Sequence, residues 1–182
     1  YKIYENNQTK QNYYNKYYLS ISESTKEQFW FDESKEIDFY SPPSKNNILN
    51  KSNPPFYLWF SDTELNICYN CIDRHIKNGL GKNNAIIFES FYLNKTLYYN
   101  YEKMYEEIQN VCYILTNFGI TKGDRVVIYM PTIPEALISM LACCRLGAIH
   151  SVVFGGFAFS ELAERIKDSK PKFIITASCG IE

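Results

Sequence analysis

The sequence predicts an α/β fold in which a parallel sheet is flanked by helices. Three observations carry that expectation. Three short apolar runs, Arg125 to Met130, His150 to Phe154 and Phe173 to Ala177, recur in the C-terminal third of the chain. Helix-length segments separate them, the sequence signature of parallel strands covered on both faces. A glycine pair, Gly155 and Gly156, follows the second run, at the carboxyl end of a strand, where sheets of this kind hold small ligands.

The elements follow in order. Tyr1 to Lys16 is polar, rich in Asn and Tyr and without period, and reads as an extended or poorly ordered arm. Ser24-x-x-Glu27 is a capping-box pattern, and a short helix carrying Phe29 and Trp30 should run from it until Pro42 and Pro43 stop it. Asn53 to Phe60 is an extended aromatic segment, preset by Pro54 and Pro55, whose rings are expected to be buried in a hydrophobic groove. Leu65 to Lys77 reads as a helix with Ile67, Cys71 and Ile76 facing inward, closed by Asn78 and Gly79. Asn84 to Glu89 and Thr96 to Tyr101 are strand candidates joined by a turn. Glu102 to Phe118 is a helix whose Met104, Ile108, Val111 and Leu115 recur at three- and four-residue steps, giving one apolar face. After a turn at Thr121 to Asp124 comes the strand Arg125 to Met130. Thr132 is placed to cap the next helix, with Glu135 three residues on and Pro134 in the first turn. That helix runs to Leu146 and Gly147 ends it. The strand His150 to Phe154, the glycine turn, a helix Ser160 to Lys167 and the strand Phe173 to Ala177 complete the alternation.

Composition excludes several classes of function. With 46% hydrophobic and 21% charged residues, the 182-residue chain can bury a real core. Its formal net charge of -1 gives no electrostatic reason to expect nucleic acid as a partner. The longest apolar run, Ala136 to Cys144, is about half of what a membrane span needs. The chain has no signal-like start and no initiator Met, and reads as a piece of a longer one. The six cysteines are expected to be reduced, small and mostly buried, since Cys143 and Cys144 adjoin within a helix and cannot easily pair. Cys68-x-x-Cys71 lacks a second ligand pair for zinc, with His75 supplying one ligand at most.

The chemistry-bearing residues admit plain readings. The glycine pair is either a tight turn or a place where backbone amides approach a ligand. It is neither G-x-G-x-x-G nor a Walker loop. His150 opens a strand as a structural residue, Arg145 complements a helix dipole, and Asp124 and Glu135 serve turns and caps. No catalytic triad or carboxylate pair assembles, so the residues alone point to an α/β domain with a glycine turn that could face a ligand.

A family resemblance sharpens this. The run Gly123 to Pro131 with Pro134 and Glu135, then Met140 to Cys143, then Arg145 to Phe157, resembles the short-chain acyl-CoA synthetases, the acetyl- and propionyl-CoA synthetases among the adenylate-forming enzymes. Asn66-x-x-Tyr69-Asn70-Cys71-x-Asp73-Arg74-His75 resembles the same family's entry into its main domain, and Glu27-x-Phe29-Trp30 its N-terminal extension. The segments Ser52 to Phe60 and Lys170 to Glu182 lean toward the propionyl branch. The resemblance implies the N-terminal part of the large domain of an adenylate-forming enzyme, with a mostly helical or extended N-terminal extension. Residues 1–78 would form the extension and 79–182 the start of the adenylation domain. It implies an enzyme that activates acetate, propionate or another short-chain acid with ATP and Mg²⁺ and passes the acyl group to coenzyme A. Phe154, Gly155 and Gly156 match the family's coenzyme A contact. The phosphate loop, adenine motifs, acyl pocket and catalytic lysine would lie beyond residue 182, so this segment holds no catalytic residue and is expected to be inactive alone. A binding or interaction module is the alternative if the segment stands alone. The expected partners are small molecules, with no nucleic acid or membrane. The expected compartment is the cytoplasm, with the nucleus and the mitochondrion as alternatives.

Overall fold

A computed structural model describes residues 25–178. The expected N-terminal arm, the Ser24 end of the capping box and the last four residues lie outside the described residues. The chain divides into two compact units, Tyr1–Leu65 and Asn66–Glu182.

In the first unit, helix α1 (Lys26–Glu33) starts at Thr25, without a side-chain capping bond, and continues into a 3-10 turn, Ser34–Glu36. The chain is extended by Ile37, well before the prolines expected to stop it. Strands β1 (Leu49–Asn50) and β2 (Leu58–Trp59) pair antiparallel. Asp62 gathers the preceding loop, accepting from the Ser44 amide and hydroxyl and the Asn47 amide. The aromatic segment departs from expectation: Phe56 is 74% and Tyr57 49% exposed. A two-residue strand presents no continuous face, so these rings lack a layer within this unit. Trp59 finds an edge-to-face partner in Trp30 at 5.9 Å, and Phe60 lies 6.4 Å from Phe39.

The second unit holds the α/β core. Its first helix, α2 (67–80), contains a π turn, Tyr69–Asp73, and its last stretch, Ile76–Leu80, is broken at Gly79, which adopts φ 80°. Cys68 and Ile72 are its fully buried positions, and Ile76 packs beside them. Ile67 and Cys71, expected inside, are exposed. Cys68, Ile72 and Ile76 recur at steps of four and share one helix face, whereas Ile67 and Cys71 lie on the side away from Ile76.

Strands β3 (Asn84–Ser90) and β4 (Lys95–Asn100) form an antiparallel hairpin. Asn100 then caps α3 (Tyr101–Asn117), its side chain accepting from the Lys103 amide. Met104, Ile108 and Leu115 are buried as the periodicity predicts. Cys112, rather than Val111, completes that buried stripe. The parallel sheet has the order β6-β5-β7, with β5 (Arg125–Met130) central between β6 (Ile149–Phe154) and β7 (Phe173–Thr176). Val126, Val127 and Ile128 of β5 are all buried, which a strand achieves only with both faces covered. On one face, Val126 and Ile128 join the core built from α3 and α4 (Pro134–Leu146). On the other lie Val127 and Val153, the register partner of Tyr129, both fully buried, and α5 (Phe159–Ser169) packs over β6.

The start of α4 corrects one expectation. Its N-cap is Ile133, in extended conformation, not Thr132. Pro134 occupies the first turn and forces the residue before it out of the helical region, which moves the cap one position past the threonine. At the other end Gly147 adopts φ 70°, the left-handed conformation that closes the helix as expected.

Two polar clusters lock the second unit. At the C-terminus of α4, the Asn66 side-chain amide donates to the carbonyls of Cys144 (3.0 Å) and Arg145 (3.3 Å), while its oxygen accepts from the Tyr69 amide. Arg145 makes a two-pronged bond to Asp73, with Nη1 to Oδ1 at 3.1 Å and Nη2 to Oδ2 at 2.5 Å. The side chains are only 20% and 16% exposed, and the guanidinium also stacks over the Tyr105 ring. Burial disfavours the Arg145 charge, but the bonds to Asp73 outweigh it and raise its pKa further. Arg145 is therefore an ion-pair partner rather than only a dipole complement. At the amino-terminal edge of the sheet, Asp124 accepts from Lys172 Nζ and from the Thr121 amide and hydroxyl. The Lys172 bond, followed by those from Thr121, holds this carboxyl down at about 2.

Replacing Arg145 by Met should lower stability by about 3 kcal/mol, because Asp73 is left largely buried without its partner. The fall in the urea denaturation midpoint measures it. The Asp124 pKa is lowered on folding, from the ordinary value of about 3.9. Its contribution is therefore complete above that value and lost as pH falls through about 2. Thermal melts should show the gap between wild type and Asp124→Asn narrowing from pH 5 to pH 2.

Candidate functional site

The carboxyl end of the parallel sheet is built from the turn Phe154 to Phe157 and the chain leaving β5. Because β5 and β6 run parallel with Met130 opposite Phe154, both strands end at the same level. Their exits must pass each other, and Gly155 is where they do. A Cβ on Gly155 would lie 2.8 Å from the Met130 carbonyl carbon and oxygen and 2.8 Å from the Pro131 nitrogen. These are backbone atoms with no freedom to retreat, so only glycine fits. A Cβ on Gly156 would lie 2.6 Å from Cε1 of Phe154, whose ring lies over the turn.

Three further contacts fix the turn. The Phe157 amide donates to the Phe154 carbonyl at 3.0 Å, closing it. The Tyr129 hydroxyl donates to the Phe157 carbonyl at 2.9 Å. The Phe157 ring meets Phe154 edge-to-face at 5.7 Å, and the Arg165 guanidinium stands 4.8 Å from its centre. The result is a small platform: the Phe154 side chain, with the residue 62% exposed, beside two successive positions whose backbone carries no side chain of its own. Such a platform supplies an aromatic face for stacking and backbone groups for hydrogen bonding, but no acid or base. Of the two readings the sequence left open for the glycine pair, the tight turn is thus observed in detail, and its outer surface stays accessible.

The other residues singled out earlier fall elsewhere. His150 is the second residue of β6, on the α4 side, with Nδ1 3.9 Å from the Cys144 sulfur. Burial lowers its pKa, which keeps the ring neutral near pH 7. Cys68, Cys112 and Cys143 are buried free thiols, and burial pushes Cys68 up to about 11 and Cys143 to about 12. Neutral thiols of this kind are packing groups rather than nucleophiles. Among the described residues, no set of three His, Cys, Asp or Glu side chains is arranged to hold a metal ion. Also among them, no helix is long and apolar enough to cross a membrane. The sequence reading missed Tyr129. Its register neighbours Val153 and Thr176 place it on the α5 face, and that alternation was the available signal.

The βαβ layer, with a glycine turn at the carboxyl end of its strands, places the chain among the open parallel α/β domains, in which ligands dock at that end of the sheet. Residues 77–182 match the family described as AMP-binding enzyme, and the chain belongs to that family. Residues 13–71 match the acetyl-coenzyme A synthetase N-terminus. The chain is 46% identical over 167 residues to the human mitochondrial acyl-CoA synthetase short-chain family member 3, covering 92% of this chain and 24% of that protein. It is 44% identical over 152 residues to the acetyl-coenzyme A synthetase of Streptomyces avermitilis, covering 84% of this chain and 23% of that protein. It is also 45% identical over 153 residues to that of Pasteurella multocida, again covering 84% and 23%. The chain thus spans about a quarter of the length of these curated relatives.

The two glycines should respond differently to substitution. Gly155→Ala must push two strand exits apart and should cost about 1–3 kcal/mol, the range for overpacking. Gly156→Ala meets only a ring that can swing aside, and should leave the thermal midpoint nearly unchanged. Comparing the two melting temperatures checks this.

Proposed function

We propose that the protein carrying this chain is a short-chain acid–CoA ligase. It would activate a carboxylate with ATP, releasing pyrophosphate and forming an acyl adenylate, and then transfer the acyl group to the thiol of coenzyme A. The first step turns a poor leaving group into a good one. The second needs a thiol brought to an activated carbonyl, so positioning matters more there than acid–base chemistry. Acetate is the substrate favoured by the two acetyl-coenzyme A synthetases among its relatives. Propionate is the second reading, favoured by the segments Ser52 to Phe60 and Lys170 to Glu182.

The observation that carries the proposal is the Phe154 to Phe157 platform at the strand ends of a chain in this family. Phe154, Gly155 and Gly156 are proposed as one edge of the coenzyme A site. An exposed ring and backbone without side chains of its own fit a ligand with an aromatic base and amide groups. ATP and Mg²⁺ would be held by residues outside this chain, as would the catalytic residues, so the segment alone is expected to be inactive. Residues 1–78 are proposed as an extension and 79–182 as the opening of the adenylation domain. The cytoplasm is the proposed compartment, with the mitochondrion, as for the human relative, as the alternative.

The ligase reading predicts acid-dependent exchange of labelled pyrophosphate into ATP, without coenzyme A, for acetate or propionate. Adding coenzyme A should convert the exchange into net thioester formation. No exchange with either acid would sink the reading.

A further inference from the structure

We propose that Tyr129 is a positioning residue for coenzyme A: its hydroxyl, anchored in the central strand, sets the shape of the Phe154 to Phe157 turn. The proposal rests on the ligase reading above.

The Phe157 peptide is held at both ends. Its amide closes the turn onto Phe154, and its carbonyl accepts from Tyr129 at 2.9 Å. Tyr129 is itself immobile at its base, since its strand is paired on both sides, to Val153 and to Thr176. The hydroxyl therefore transmits the position of β5 to a turn that leaves β6. Gly155 makes the matching contact from below, against the Met130 and Pro131 backbone. Phe157 in turn sets Phe154, through the closing bond and the edge-to-face contact at 5.7 Å. A turn containing two adjacent glycines has many conformations open to it. One well-placed hydrogen bond restricts them to the shape in which the Phe154 ring lies over Gly156.

If this shape forms one edge of the coenzyme A site, losing the bond should be felt when coenzyme A binds and not when the acid is activated. Removing pre-organisation weakens binding without removing any contact to the ligand.

The test uses Tyr129→Phe, which deletes the hydroxyl and keeps the ring. Two readouts are taken on the whole protein: ATP–pyrophosphate exchange without coenzyme A, and steady-state thioester formation over a range of coenzyme A. The expected result is a KM for coenzyme A raised about three- to tenfold, the range one hydrogen bond carries, with kcat and the exchange rate within about twofold of wild type by the same reasoning. An unchanged KM would overturn the proposal while leaving the ligase reading intact. A proportional fall in exchange and thioester formation would overturn it too, by showing a general structural role. Gly156→Ala displaces the Phe154 ring by a different route and should raise the same KM. If it does not, the turn is not a coenzyme A edge and the site assignment fails. A wild-type protein with no exchange for either acid ends both the ligase reading and this inference.

Discussion

The second unit depends on the complete burial of β5. Val126, Val127 and Ile128 are three consecutive residues whose side chains alternate between faces, yet none reaches solvent. Each such side chain contributes roughly 1.5–3 kcal/mol on burial, so the strand must have a layer above and below. The α3–α4 layer covers one face and on the other α5 packs over the neighbouring β6, which leaves parallel neighbours joined by helical crossovers as the workable arrangement. That arrangement brings the exits of β5 and β6 to the same end of the sheet and creates the crowding that Gly155 relieves.

Burial of β5 needs α4 to be held in place, and here polar chemistry supplements packing. Asn66 covers the free carbonyls at the end of α4 and simultaneously starts α2. Asp73, further along α2, takes the Arg145 guanidinium two-pronged. Two of the segments that carry the family resemblance, Asn66 to His75 and the one that opens at Arg145, thus meet in one joint. Some of the residues that made the sequence recognisable, Asn66, Asp73 and Arg145, are those that fasten α2 to α4.

The α/β alternation was legible because its strands are short apolar runs and its helices keep a 3.6-residue period; β5 was read at its observed bounds and β6 and β7 to within one residue at either end. Reading failed at particular positions. In α2 the inward face is Cys68, Ile72 and Ile76, spaced by four, and the expected set with Ile67 and Cys71 did not keep to that spacing. Thr132 has the chemistry of a cap, but the constraint that Pro134 places on Ile133 decides the cap position. The rings of Phe56 and Tyr57 were expected inside because of their size, but size does not supply a facing layer. Arg145 was read from its place on one helix, and a partner 72 residues away is not visible in local pattern.

The candidate site was legible as a location and not as a mechanism. A glycine pair after a parallel strand says that something comes close, and sequence alone cannot say whether it is a ligand or the protein's own backbone. The structure gives each glycine a neighbour within the chain: the β5 exit for Gly155 and the Phe154 ring for Gly156. These reasons do not compete with ligand binding. A turn pressed against a rigid strand on its inner side presents a fixed shape on its outer side, and a fixed shape is what binding with little ordering cost requires. The packing that explains the glycines without a ligand is the same packing that makes the turn a competent surface for one.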